Sequence, residues 1–240
     1  MKTIKIRLLV ALFALFAGTT SCLDDVFIEG NGIRKSEFRN DEGFDEVALS
    51  SDFRVTVVPG SEYSVEVTAE SNLLPYIETR VNGRKLKITT HGVRSLRQNY
   101  PIEVHIITPV LSGLALSGSG IIETGSFLSD DFEITVSGSG DIDTQVSADK
   151  IKANISGSGT VHIEGDALET NFVISGSGKI KTYNLEQNYC LATISGSGDM
   201  FVNVSQSIDA NISGSGHVFY VNHPMIRSSI SGSGSVINKN

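Results

Sequence analysis

Hydrophobic and polar residues alternate with a period of two in short runs along most of this chain. Phe53–Val57 is one such run, Tyr63–Val67 a second and Ile102–Ile106 a third. A period of two is typical of β-strands rather than helices. Pro59-Gly60 separates the first two runs, which predicts that they form a hairpin or lie on neighbouring coils. Asn82-Gly83 predicts a two-residue hairpin. The chain is therefore predicted to be all-β.

The second half of the chain repeats the sequence Ser-Gly-Ser-Gly at a nearly constant spacing. Seven copies, 18 to 20 residues apart, begin at Ser117, Ser137, Ser156, Ser175, Ser195, Ser213 and Ser231. This period is too short for a strand with a crossover helix and about half that of a propeller blade. Repeats of this length bury their apolar faces when each forms one coil of a parallel β-helix. We predict such a β-helix, wound in the right-handed sense.

The alternation continues through each motif and predicts which residues point inward. Ile155, Gly157, Gly159 and Val161 share one side of the strand, and the serines between them share the other. We expect the glycines to point inward, where the wall has no room for side chains. Cys190 falls in a column of apolar residues and is expected to be a buried, unreactive thiol.

The first 21 residues are predicted to be a secretory signal peptide. Three basic residues precede the ten-residue apolar run from Leu8 to Ala17, and small residues lead to Cys22. The arrangement resembles a bacterial lipoprotein cleavage site, so we expect Cys22 to be acylated. An ordinary signal peptide with an incidental cysteine is the alternative. Residues 22–43 are predicted to be a tether and polar amino-terminal segment, 44–112 a β-rich part and 113–240 the repeat β-helix, continuous with 44–112.

Charge restricts the classes of partner. Without the signal peptide, the chain keeps 16 Lys and Arg residues against 27 Asp and Glu, a net charge of about −11. This balance argues against nucleic acid as a partner. No spacing typical of a metal site or a nucleophile–histidine–acid set is found, so neither metal nor cofactor is expected.

Stacked coils place outward residues of successive repeats next to one another. Asp141, Asp143 and His162 come together in this way and suggest a carbohydrate or metal site, although charge pairing between strands explains them equally simply. Phe201 and Phe219 would form an aromatic strip near the carboxyl end, unless a bulge or loop covers them. These five residues are the candidate ligand-contact surface.

The combination of motifs resembles one bacterial family, the "putative auto-transporter adhesin, head GIN domain". The resemblance covers nearly the whole mature chain. It rests on Gly30-Asn31-Gly32-Ile33, Phe53–Val57 with Pro59-Gly60, Asn72-Leu73-Leu74, Gly83–Ile88, Ile102–Leu111 and the seven Ser-Gly-Ser-Gly motifs. It implies a right-handed β-helix, an exported location and a role in adhesion or envelope interaction, with no catalytic residues.

The expected function is that of a lipid-anchored, non-enzymatic protein of the cell envelope, in the outer membrane, that binds a glycan or an envelope protein. A periplasmic structural or sensory module is the alternative, and a carbohydrate-active enzyme is the third class. The last coil stops at Val236 and Ile237, followed by only three residues. We expect this open end to promote weak self-association.

Overall fold

The computed structural model describes residues 27–92 and 95–240. The predicted signal peptide and Cys22 lie outside these residues. The described chain is almost entirely β-structure and forms a β-solenoid of about seven turns, which confirms the predicted fold class. Its strands are β1 (Phe27–Glu29), β2 (Arg34–Arg39), β3 (Glu46–Ser50), β4 (Arg54–Pro59), β5 (Ser64–Glu70), β6 (Ile77–Asn82), β7 (Lys85–Thr90), β8 (Ser95–Arg97), β9 (Glu103–Thr108), β10 (Gly113–Gly118), β11 (Ile121–Gly138), β12 (Asp141–Gly157), β13 (Thr160–Gly176), β14 (Lys179–Gly196), β15 (Asp199–Gly214), β16 (His217–Val221), β17 (Met225–Gly232) and β18 (Ser235–Asn238).

Each repeat forms one coil, and equivalent residues of successive coils lie side by side. The strands from β10 to β18 pair in parallel, and Ser137, Ser156 and Ser175 of three successive motifs are direct neighbours. Side chains alternate between buried and exposed along β12, and the alternation changes phase at Asp149–Lys150, where the coil turns a corner. The apolar set forms one buried core that runs along the solenoid.

The backbone of the preceding coil leaves no room for a side chain at the motif glycines. Gly159 is buried as expected, but Gly157 is only partly buried and has a φ of +132°. A Cβ atom on Gly157 would lie 2.4 Å from the carbonyl oxygen of Gly138, and one on Gly159 would lie 2.4 Å from that of Gly140. The expectation that both glycines simply point into a narrow core is therefore corrected for Gly157. Its missing side chain allows two coils to stack.

The amino-terminal half continues the same sheet. β10 pairs in parallel with β3, and β11 pairs with β4, so the repeat coils stack directly on strands of residues 44–112. The hairpin expected at Asn82-Gly83 is confirmed, because β6 and β7 are antiparallel and are joined by Gly83-Arg84.

Three amino-terminal details differ from the sequence-based prediction. β4 and β5 are not paired, because β9 lies between them, parallel to β4 and antiparallel to β5. Residues 91–100, where no period-two run predicts a strand, contain the short strand β8, which pairs with β1. β1 and β2 lie within residues 22–43, the predicted tether, so part of that segment is folded. Alternation alone does not reveal pairing between strands far apart in sequence.

The two ends of the solenoid are built differently. At the amino-terminal end the last strands, β2 and β6, pair antiparallel with their neighbours. At the carboxyl end β17 and β18 pair only with the coil before them in the described chain, and Met225 and Ile230 are 66% and 41% exposed. Within the described residues, no helix is long and apolar enough to cross a membrane.

Candidate ligand-binding face

One outward column of side chains runs along the repeat half of the solenoid. The third residue after each Ser-Gly-Ser-Gly motif pairs in register with the equivalent residue of the next coil. The column, here called the lateral face, comprises Glu123, Asp143, His162, Lys181, Phe201, Phe219 and Ile237. Neighbouring backbones in such a stack are about 4.8 Å apart. The lateral face therefore changes along its length from charged to aromatic.

The charged part of the lateral face is centred on His162. Its Nδ1 atom is 3.3 Å from Oδ2 of Asp143, and its Nε2 atom is 3.6 Å from Oε1 of Glu164. Asn184 donates a hydrogen bond of 2.8 Å to the same Glu164 oxygen. Asp141 is exposed and lies in the adjacent column, opposite Thr160. The imidazole thus lies between the carboxylate of Asp143, on the preceding coil, and that of Glu164, two residues further along its own strand.

A metal-ion role for these residues has no support in the geometry. In the described ranges, no group of three or more His, Cys, Asp or Glu side chains could hold a metal ion. Asp143 and His162 are neighbours on the surface of the coil, and their contact is a side-chain pairing between adjacent strands.

The aromatic part is an ordered stack. The Phe201 and Phe219 rings lie nearly parallel, with centroids 5.0 Å apart, and both are half-buried on the outer side of the wall. Tyr183 meets the Phe201 ring edge-on at 5.7 Å, and His217 stacks on Phe219 at 5.7 Å. The Lys239 ammonium lies 5.2 Å from the Phe219 ring centroid. Stacking with neighbours, rather than a covering loop, accounts for the half-burial.

A shallow cavity of about 330 Å³ joins the charged and aromatic parts. His162, Lys181, Tyr183, Asn184 and Phe201 line it. Its volume is at the lower end of the range for small-ligand sites, roughly 300–1,000 Å³. Partial burial raises the pKa of Tyr183, so its hydroxyl stays protonated and can donate a hydrogen bond.

A bulge in β14 creates this cavity. Lys181 and Thr182 pair in register with β15, but the next paired residue is Gln187. The residues between them leave the regular ladder and carry Tyr183 and Asn184 to the surface beside Phe201. Tyr183, Asn184 and Glu164 were not singled out from sequence. Tyr183 could have been, because it lies two residues after Lys181 on the same side of the strand.

Cys190 lies in the core, where the sequence places it. It is opposite Thr170 and Ile208 and is buried. Burial raises the pKa of its thiol to about 12, while a hydrogen bond with Thr170 acts in the opposite direction. The thiol is therefore protonated at neutral pH and shielded from reagents.

The architecture defines the chain as a parallel β-solenoid with a lateral column of charged and aromatic side chains. The model of the family described as "Putative auto-transporter adhesin, head GIN domain" matches residues 43–224. The chain belongs to this family, as the sequence motifs indicate, and the role that the family description carries is adhesion.

Several solved structures share the fold. A "putative adhesin" from Bacteroides fragilis is 22% identical, with a TM-score of 0.82 over 88% of this chain and 100% of that chain. A "putative lipid binding protein" from Parabacteroides distasonis is 24% identical, with a TM-score of 0.77 over 90% of this chain and 100% of that one. A "putative adhesin" from the same species is 22% identical, with a TM-score of 0.72 over 89% and 100%. No curated protein matches the chain.

Proposed function

We propose that this chain is a lipid-anchored, non-enzymatic adhesin of the outer membrane that binds glycans through the lateral face. The observation that carries the proposal is the stacked pair Phe201 and Phe219, which adjoins a cavity lined by hydrogen-bonding side chains. The family's adhesin description and the predicted signal peptide with Cys22 support the location and the general role.

The chemistry of the face suits a sugar ring. The C–H face of a pyranose is apolar and packs on flat aromatic surfaces, as other apolar groups do. Its hydroxyl groups both donate and accept hydrogen bonds. Beside the rings, Lys181 and Asn184 supply donors, and Asp143, Glu164 and the Asn184 carbonyl supply acceptors. The face therefore offers an apolar platform with polar groups along one edge.

The form of the coils favours binding over catalysis. Coils of 18 to 20 residues carry the lateral face, and no long loop of the described chain lies between the strands that form it. Catalysis at such a surface would lack the closed site that excludes water and strengthens electrostatic interactions. Cys190 is buried in the core, away from the face.

The proposal is tested by screening the chain from Cys22 onward on a glycan array and then measuring the affinity for a retained glycan. The double substitution Phe201→Thr and Phe219→Thr should weaken that affinity at least ten-fold, because the stacking platform is lost. Threonine keeps a high strand propensity. The matched control is Tyr189→Thr, an aromatic residue that is 51% exposed in another column of β14.

Two results would contradict the proposal. The first is the absence of any retained glycan. The second is equal affinity of the double variant and the wild type, with thermal unfolding showing that both are folded. Release of soluble oligosaccharides from a polysaccharide panel would assign the face to an enzyme instead.

A further inference from the structure

We infer that the amino-terminal end of the solenoid is a membrane-docking base that holds the molecule upright on the lipid bilayer. The base consists of the exposed residues Phe27, Ile33, Phe38 and Tyr100 on the loops and edge strands of that end. The inference rests on the proposed lipid anchor at Cys22 and adds a surface and an orientation to it.

The base exposes large apolar side chains in a small part of the fold. Ile33 and Phe38 are 64% and 71% exposed, and Phe27 and Tyr100 are 40% and 46% exposed. Two arginines pack on the rings: the Arg97 guanidinium lies 3.8 Å from the Phe27 ring centroid, and that of Arg34 lies 5.9 Å from Tyr100. Aromatic rings with a polar neighbour are typical of the membrane–water interface.

A buried carboxylate fixes these loops as one rigid unit. Glu70 is 1% exposed and accepts hydrogen bonds from the Gly32 amide at 2.5 Å and from the backbone and side-chain amides of Asn99, both at 2.8 Å. A Cβ atom on Gly30 would overlap the Glu70 carboxylate, so any side chain there would displace that group from its position. The Gly30 amide also donates to the Arg97 carbonyl at 2.8 Å. The exposed side chains thus stand on a preorganised support.

The charges of the base are balanced, although the whole chain is acidic. Arg34 pairs with Glu103 at 2.5 Å, Arg39 with Glu37 at 2.9 Å, and Arg97 lies 3.7 Å from Glu29. A locally neutral, apolar end can approach anionic headgroups that repel the rest of the molecule.

The length of chain before the base identifies the occupant as a bilayer. Four residues separate Cys22 from Phe27. Even fully extended, the chain between these two residues spans at most about 18 Å. Acyl chains on Cys22 would lie in the hydrocarbon, below an interfacial layer of roughly 6 Å. The tether therefore keeps the base within reach of the membrane surface.

An upright solenoid raises the lateral face above the membrane. Nine strand-to-strand steps separate β2 at the base from β16, which carries Phe219. At about 4.8 Å per step, Phe219 stands roughly 43 Å from β2. Docking of the base would direct the glycan-binding end away from the lipid.

Tryptophan substitution tests the inference directly, because the chain contains no Trp. The chain from Cys22 onward is coupled through the Cys22 thiol to vesicles that contain a maleimide lipid, and flotation verifies the attachment. Buried Cys190 is not expected to react. Phe38→Trp fluorescence should shift to the blue and be quenched several-fold more by lipids brominated near the headgroup than that of Leu128→Trp. Leu128 is the matched control, since it is 81% exposed on the side wall.

Equal quenching of the two tryptophans on attached chains would overturn the inference. Chemical coupling makes this result independent of natural acylation, which is measured separately from the mass of the amino-terminal peptide of the cell-made protein. An unmodified Cys22 in that peptide would refute the proposed anchor without deciding the docking test.

Discussion

At the scale of single residues, small or hydrogen-bonded groups determine where backbones can approach. The motif glycines stack on the carbonyl groups of the preceding coil, and Gly30 leaves room for the Glu70 carboxylate. In both places the deciding factor is the distance of closest approach rather than the hydrophobicity of the position. Adding even one methyl group at these glycines should therefore lower the free energy of unfolding.

Adding one methyl group at Gly157 should destabilise the fold. Gly157→Ala places a Cβ atom against the Gly138 carbonyl at a φ of +132°, where L-residues are strained. We expect a loss of about 1–3 kcal/mol in the free energy of unfolding. Ser156→Ala, at the exposed neighbouring position, should change it by about 0.5 kcal/mol or less. Chemical denaturation of both variants measures the difference, and equal losses would refute the stacking explanation.

Glu70 should make stability depend on pH in the acid range. Hydrogen bonds, foremost from the Asn99 side chain and then from backbone amides, hold the pKa of Glu70 below its ordinary value of 4.5, against the opposing effect of burial. The ionised form therefore stabilises the folded state above pH 4.5, and this contribution is lost as the pH falls through the lowered pKa.

The substitution Glu70→Gln tests this contribution. The variant should unfold at a lower temperature than the wild type at pH 7, and the difference should shrink below pH 4.5. Thermal unfolding from pH 3 to pH 7 measures it, with Glu66→Gln on the same strand as control. A difference that stays constant across this range would show that Glu70 acts through packing rather than charge.

At the scale of elements, departures from the regular ladder create the features that distinguish one coil from another. The β14 bulge exposes Tyr183 and Asn184 and also turns polar groups inward. Inside the core, Thr170 donates to Gln187 at 2.5 Å, Gln187 donates to Thr182 at 3.1 Å, and Thr182 donates to the Phe201 carbonyl at 3.0 Å. Because each polar group has a partner, the bulge can be buried without a large energetic cost.

The edge strand β17 should mediate weak self-association through the carboxyl end. Its inward positions Ile226 and Ile230 extend the core columns of Ile208 and Ile212, and no later coil of the described chain covers them. Instead the terminal Asn240 folds back sideways to hydrogen-bond the Asn222 backbone. Pairing of two such ends would satisfy the open strand edges and bury Ile230.

The substitution Ile230→Glu should abolish this association, because it would place a charge between the two ends. Leu128→Glu, at an exposed position on the side wall, should leave it unchanged. Sedimentation velocity at high concentration compares the variants with the wild type. A wild-type chain that remains monomeric throughout would contradict the prediction.

At the scale of the whole molecule, the solenoid is a rod with two unlike ends and one lateral face. Antiparallel strands close the amino-terminal end, next to the residues that lead to Cys22, and within residues 27–92 and 95–240 no strand covers β17 and β18 at the other end. The aromatic part of the lateral face lies in the last coils, far from the base. The proposed anchor and the proposed glycan-binding face would thus lie at opposite ends of a single axis.

The pattern of residues along the chain is enough to predict the regular coils of the repeat half. Period-two alternation and the spacing of Ser-Gly-Ser-Gly define parallel coils in register, so the order from Asp143 through His162 to Phe201 and Phe219 follows by counting. The insertion of β9 between β4 and β5, the β14 bulge and the Glu70 contacts could not be predicted in this way. In the repeats each contact joins equivalent positions one period apart. The contacts of β9, of the β14 bulge and of Glu70 join segments that are not one repeat apart. Which of these segments meet depends on how the whole chain packs.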